Sequence, residues 1–157
     1  MGSLSLPLEK RGAQVTASDI SDAMVQEATK RAAAAGLSDR ASFATSDLEN
    51  IEGKYDTVTC IDVMIHYPQD KMKDMVAGLA SKAEKRLIIS FAPDTWYYRA
   101  LKSFGELFPG PSKTTRAYLH SEESVVDALD AAGYKVERTE MTGTNFYFSR
   151  LLEAQRK

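Results

Sequence analysis

Residues 134–154, "YKVERTEMTGTNFYFSRLLEA", decide the fold. Two strand-like runs, "YKVERTEMTG" (134–143) and "NFYFSRLLEA" (145–154), follow one another with no helix between them. Parallel strands need a crossover of a dozen or more residues, so these two can pair only antiparallel, as a hairpin. Upstream of them, strand-like and helix-like segments alternate, which is the pattern of a parallel sheet covered by helices. The expected architecture is α/β, a Rossmann-like sheet that ends in an antiparallel β-hairpin.

Working back from the hairpin, Ser121 to Ala132 reads as a helix and "RLIISFAP" (86–93) as a buried strand. Gln69 to Lys82 is the helix before it. "YDTVTCIDV" (55–63) is a near-continuous β-branched run, expected to be buried on both faces. Nearer the start, Ser3 to Lys10 is a short helix in which Pro7 fits only within the first turn. Gln14 to Ser18 is a strand leading into Asp19. Ser21 is placed to N-cap "DAMVQEATKRAAAAG", whose Met24, Val25, Ala28 and Ala32 recur at helical spacing until Gly36 stops the helix. Ala41 to Thr45 is a short strand closing on "SDLEN". Between the last parallel strand and the last helix lies an aromatic insert at about 94–120, "DTWYYRALKSFGELFPGPSKTTRAYLH". The length of 157 residues fits one domain, 1–157, carrying that insert.

Composition removes several function classes. Lys and Arg total 20 against 22 Asp and Glu, so there is no basic field to hold a nucleic-acid backbone. Cys60 is the single cysteine, which excludes an intrachain disulfide and gives a metal or thiol-redox site nothing to build on. The longest strongly apolar run, Leu87 to Ala92, is far too short to span a bilayer. The first residues carry neither a signal peptide nor a transit-peptide pattern, so any organelle address is expected to lie upstream of the residues given. No nucleophile elbow, P-loop or Cys-x-x-Cys pair is present.

The residues that could carry chemistry gather where strands end. Ligands of open α/β sheets bind beyond the carboxyl ends of the strands. Asp19, at such an end, could accept from both ribose hydroxyls of a cofactor, or simply serve as an anion at a helix start. Asp47, one crossover later, could accept from an adenine amino group while the backbone N–H of Leu48 donates to the ring; a turn aspartate is the plainer reading. Asp62, His66 and Tyr67 lie at the end of the strand at 55–63 and in the loop after it, although a lone histidine is more often a structural hydrogen-bonder. In the insert, Tyr97, Leu101, Phe104 and Phe108 fall at helical spacing, either as a core-facing stripe or as a lid with Lys113 and Arg116 ready for carboxylates.

Several stretches are more specific than these generic positions. "GSLSLPLEKRGAQVTASDIS", "GKYDTVTCIDVMIHYP", "AEKRLIISFAP", "GELFPGPSKTTRAYLHSEESV" and "NFYFSRLLEA" resemble the magnesium-protoporphyrin IX methyltransferases of chlorophyll biosynthesis, over essentially the whole chain. These are class I S-adenosylmethionine (SAM) methyltransferases, whose sheet ends in the antiparallel reversal seen here. The resemblance implies methyl transfer from SAM to one propionate of Mg-protoporphyrin IX, with Mg²⁺ belonging to the substrate and no protein-bound metal. It implies cofactor contacts at Gly2, Asp19, Ile20, Asp47, Leu48 and Asp62, with His66 at the methyl-transfer centre. Tyr67, Lys113, Arg116 and Tyr118 would position the porphyrin.

The resemblance also implies a magnesium chelatase subunit as a further partner, peripheral membrane association, and a plastid or cyanobacterial cytoplasm as the compartment. The family places a helical arm, a first strand and a Gly-x-Gly-x-Gly loop before "SLSLPL", of which this chain keeps only Gly2. The expectation is that the 157 residues as written bind SAM weakly or not at all. Two further readings stand beside the enzyme: an inactive protein that binds porphyrin or chelatase, and a SAM methyltransferase for another small molecule.

Overall fold

The computed structural model describes residues 2–96, 118–143 and 148–157. The chain divides into two compact units, residues 1–52 and 53–157.

In the first unit, α1 (Ser5–Lys10) leads to β1 (Val15–Asp19), α2 (Asp22–Ala34) and β2 (Ala41–Thr45). Strands β1 and β2 pair in parallel with Asp19 opposite Thr45, which sets their carboxyl ends side by side. Pro7 sits in the first turn of α1, where its missing N–H costs nothing. Gly36 ends α2 at φ +69°, a left-handed conformation open to glycine. There the Leu37 N–H closes back onto the Ala32 carbonyl at 2.9 Å and satisfies one of the helix's last acceptors. Ala28 and Ala32 of α2 and Glu9 of α1 are the buried residues of this unit among those described.

Ser21 stands at the N-cap of α2, as its position predicts, but its hydroxyl accepts no backbone N–H. Asp19 does the anchoring instead: its Oδ1 accepts the Ser21 N–H at 2.9 Å.

In the second unit, β3 (Tyr55–Cys60), α3 (Gln69–Lys82), β4 (Ala83–Phe91), α4 (Glu122–Ala131), β5 (Tyr134–Gly143) and β6 (Phe148–Arg156) build one sheet of order β3-β4-β6-β5. The β3–β4 pair is parallel, whereas β6 runs antiparallel to both β4 and β5. The hairpin required at 134–154 is therefore present, and the α/β sheet ends as expected. Met72, Met75, Val76 and Leu79 of α3 and Val125 and Leu129 of α4 are buried, as are Leu87, Ile89 and Phe91 of β4 and Leu152 and Ala154 of β6. Burying such side chains contributes roughly 1.5–3 kcal/mol each, and this is what holds helices to sheet.

Two details depart from the sequence reading. The run from Tyr55 is not buried on both faces: Val58 and Cys60 are buried while Thr57 and Thr59 are exposed, and the strand stops at Cys60. Its Thr57 and Thr59 face is left open among the described residues, and β-branched threonine suits such a face as well as valine suits the core. Helix α3 also runs directly into β4 without a loop. Its last carbonyls are met by a side chain instead, the Tyr134 hydroxyl, which donates to Ala83 O at 2.6 Å and lies 3.3 Å from Ala80 O.

Candidate functional site

Candidate residues in the first unit collect at the paired ends of β1 and β2. Asp19 is half-buried and spends one carboxylate oxygen on the Ser21 N–H; its other oxygen has no hydrogen-bond partner among the described residues. Ile20, next to it, is 80% exposed, an isolated large apolar side chain presented at the strand end. Asp47 caps the 3₁₀ turn Leu48–Asn50: its Oδ1 accepts from the Glu49 and Asn50 N–H groups at 3.0 and 3.1 Å and from the Asn50 amide at 3.0 Å. The turn role weighed for Asp47 is thus realised through Oδ1. The cap leaves the Leu48 N–H, the first of the turn, without an acceptor among the described residues. Gly2 takes φ +79° and its carbonyl accepts the Leu6 N–H at 3.1 Å, a conformation suited to glycine. A shallow depression of about 240 Å³ is lined by Gly2, Ser3, Leu6, Pro7, Lys10 and Arg31, and includes neither strand-end aspartate.

The second unit has a more tightly specified centre. Just beyond β3 the chain turns at Asp62, a non-glycine residue at φ +57°. An L-residue in that region costs roughly 1–2 kcal/mol, so something must hold it there. Ser90 of β4 accepts the Asp62 N–H at 2.8 Å and donates its own hydroxyl to Asp62 Oδ1 at 2.9 Å. Ser149 of β6 donates to the same oxygen at 3.1 Å. Both serines are buried. Cys60, two residues earlier, is buried too; burial and then the nearby Asp62 charge push its thiol from 9.0 up to about 12, which makes it an inert core group.

His66 ends the 3₁₀ turn Met64–His66 and is exposed. Tyr67 follows at the end of the turn, half-buried, with its N–H on the Met64 carbonyl at 3.0 Å. The Tyr118 N–H donates to the Ile65 carbonyl at 2.8 Å, which brings the end of the insert onto the same turn. His120 locks this assembly. Its ring is completely buried, with Nε2 3.1 Å from the Met64 carbonyl and Nδ1 2.8 Å from Gln69 Oε1, and its backbone bridges to Pro93.

The structure therefore brings Asp62, His66, Tyr67 and Tyr118 to one end of the second unit's sheet, and Asp19, Ile20, Asp47 and Leu48 to the strand ends of the first. Lys113 and Arg116, with Tyr97, Leu101, Phe104 and Phe108, lie outside the described residues. Sequence reasoning missed Ser90, Ser149 and His120. A signal for Ser149 was available: β6 runs antiparallel to β4, so its first residues must lie where β4 ends. Among the described residues, no cluster of three or more His, Cys, Asp or Glu could hold a metal, and no helix is long and apolar enough to cross a membrane.

A parallel α/β alternation closed by an antiparallel hairpin, with acidic residues at the strand ends, defines the class of Rossmann-like SAM methyltransferases. A Methanosarcina mazei SAM-dependent methyltransferase shares the fold at 15% identity, with a TM-score of 0.79 over 99% of this chain and 87% of that one. Residues 1–84 match a general methyltransferase domain, and residues 60–156 match the C-terminus of magnesium-protoporphyrin IX methyltransferase. The chain belongs to the magnesium-protoporphyrin IX methyltransferase family.

Among its relatives, the chloroplastic magnesium protoporphyrin IX methyltransferase of Arabidopsis thaliana is 60% identical over 98% of this chain and 49% of its own length. The magnesium-protoporphyrin O-methyltransferase of Synechocystis is 51% identical over 99% of this chain and 68% of its own. A crystal structure of the Synechocystis PCC 6803 enzyme with bound SAH (S-adenosylhomocysteine) superposes with a TM-score of 0.88 at 48% identity, over 99% of this chain and 70% of that one. The chain thus spans about half the length of the plant relative and about two-thirds of the cyanobacterial one.

Proposed function

We propose that these residues form the catalytic part of a SAM-dependent O-methyltransferase that esterifies one propionate of Mg-protoporphyrin IX to the monomethyl ester. The observation that carries this reading is the match of residues 60–156 to that enzyme's C-terminal family, a span that includes Asp62, His66 and the whole insert. The donor chemistry fits the side chains available. Asp19 keeps one carboxylate oxygen for a ribose hydroxyl, and the exposed Ile20 offers an apolar surface for a flat ring. Asp47 still has its second oxygen for an adenine amino group, and the Leu48 N–H remains available to a ring nitrogen. Gly2 would approach the cofactor through its backbone. When bound, SAM supplies an electrophilic methyl group on sulfonium sulfur.

A propionate is ionised near neutral pH, so the chain need not remove a proton from the nucleophile. Its task is to align the carboxylate with the methyl group and to keep water away from it. His66, exposed on a turn that His120 holds rigid, orients the acceptor carboxylate through a ring N–H; Tyr67, which follows that turn, and Tyr118, whose N–H is bonded to it, support the porphyrin edge. Lys113 and Arg116 would pair with the substrate's carboxylates. A chelatase subunit as porphyrin donor, peripheral membrane association, and a plastid or cyanobacterial setting complete the reading.

An absorbance titration with Mg-protoporphyrin IX beside an ester-formation assay tests it. Both are run on the Synechocystis enzyme whose matched segment has been replaced by these 157 residues. Ester formation is the expected result. Porphyrin binding without any turnover would favour an inactive porphyrin-binding protein.

A further inference from the structure

Asp62 combines three observations that the reaction as outlined does not use. Its backbone is in the left-handed region, at φ +57°. Its N–H and its Oδ1 are both engaged by one buried hydroxyl, that of Ser90, and Oδ1 is engaged again by a second, that of Ser149. Its Oδ2 has no hydrogen-bond partner among the described residues. The two serines come from different strands. Ser90 is the next-to-last residue of β4, opposite Leu151, while Ser149 is the second residue of β6 and pairs with Thr142 of β5. The antiparallel hairpin thereby delivers a hydroxyl to the carboxyl end of a parallel strand, a place its own sequence neighbours could not reach.

A carboxylate whose only need was capping would not require two buried donors on one oxygen. Two donors on Oδ1 fix the rotation of the carboxylate plane, and the reciprocal Ser90 pair fixes the backbone to which that plane is attached. What remains is one oriented acceptor oxygen at the strand end, where ligands of such sheets bind.

We infer that Ser90 and Ser149 are positioning residues: together they hold Asp62 in its left-handed turn and aim its second carboxylate oxygen at the α-ammonium group on the amino-acid end of the methyl donor. This rests on the methyltransferase reading above. The serines act through Asp62 and touch neither reactant. Losing one hydroxyl loosens the carboxylate without removing its charge, so the effect falls on donor affinity more than on fold. Threonine, which keeps the hydroxyl, restores the arrangement.

Amide hydrogen exchange and an NMR titration with S-adenosylhomocysteine, carried to millimolar concentration, test this on the 157-residue chain. Without ligand, Ser90→Ala is expected to speed exchange of the Asp62 N–H by at least about tenfold while the amides of α3 stay protected. Ser90→Thr should restore it. An unchanged Asp62 amide in Ser90→Ala overturns the anchoring. With ligand, Ser149→Ala and the double alanine variant are expected to weaken S-adenosylhomocysteine about three- to tenfold, while adenosine, which lacks the amino-acid end, is unaffected. Equal weakening of both ligands, or of neither, overturns the link to the donor. If the unsubstituted chain shows no ligand shift at Asp19, Ile20 or Asp62, the cofactor reading itself fails for this chain; the exchange result then decides the anchoring alone.

Discussion

Cys60 and Glu9 are both buried, with opposite consequences for how the protein responds to change. The Cys60 thiol is pushed from 9.0 up to about 12, mainly by burial. A raised folded-state value means that the unfolded chain loses this proton first as pH climbs. The stability tied to the neutral thiol is therefore complete below about pH 9 and is lost between there and about pH 12, by at most about 1.4 kcal/mol per pH unit. Urea midpoints measured from pH 8 to 10.5 should fall more steeply for the unsubstituted chain than for Cys60→Ala; parallel curves would show that the thiol does not titrate differently on unfolding. Glu9 is the converse. It is 1% exposed and neither carboxylate oxygen has a hydrogen-bond partner among the described residues. An unpartnered buried polar group costs about 1–3 kcal/mol, so Glu9→Leu should raise stability by about that amount in urea unfolding. A lower midpoint would mean that the carboxylate has a role in the folded state. The sequence shows where Glu9 is but not that it is buried, because Lys10 and Arg11 beside it read as a solvated helix end.

At the scale of elements, the fold was legible wherever period and punctuation agree. Ala41–Thr45, Gln69–Lys82 and Tyr134–Gly143 fall where the pattern puts them, since each is bounded by a turn or carries an unambiguous apolar period. The strand from Tyr55 was misjudged in its burial, because a β-branched run reads alike whether two faces or one are covered. Burial there depends on what lies beside the strand, which is a non-local fact. Ser21 illustrates the same limit: the residue type suits an N-cap, yet its hydroxyl caps no backbone N–H, and its own N–H donates to Asp19. Of the candidate site, the strand-end acids Asp19, Asp47 and Asp62 and the exposed His66 could be read directly. The groups that hold them, Ser90, Ser149 and His120, lie 28, 87 and 56 positions from the residues they bond, Asp62 for the serines and Met64 of the His66 turn for the histidine, and carry no local signature. The α3–β4 junction depends in the same way on a distant side chain. Tyr134→Phe should cost about 1–2 kcal/mol by leaving the Ala83 carbonyl without its 2.6 Å partner. A loss under about 0.3 kcal/mol in equilibrium unfolding would show that the junction is satisfied without it.

At the scale of the whole molecule, each of the two compact units carries its own chemistry. The first offers strand-end acceptors and an exposed apolar side chain suited to an adenosine moiety. The second offers a fixed carboxylate and a rigidly held turn that carries His66, runs into Tyr67 and accepts the Tyr118 N–H. The fold defines only the methyltransferase class, which accommodates many acceptors; the proposed acceptor, a carboxylate on a large flat ring, rests on membership of the porphyrin family. The decisive measurement is mass-resolved methyl ester formation from Mg-protoporphyrin IX and SAM, comparing the unsubstituted 157 residues with His66→Ala, each in place of the matched segment of the Synechocystis enzyme. The expected result is a monomethyl ester whose rate falls at least about a hundredfold in His66→Ala while SAM affinity changes less than about threefold. No ester from a folded, SAM-binding unsubstituted protein, or equal rates with and without the histidine, would contradict it.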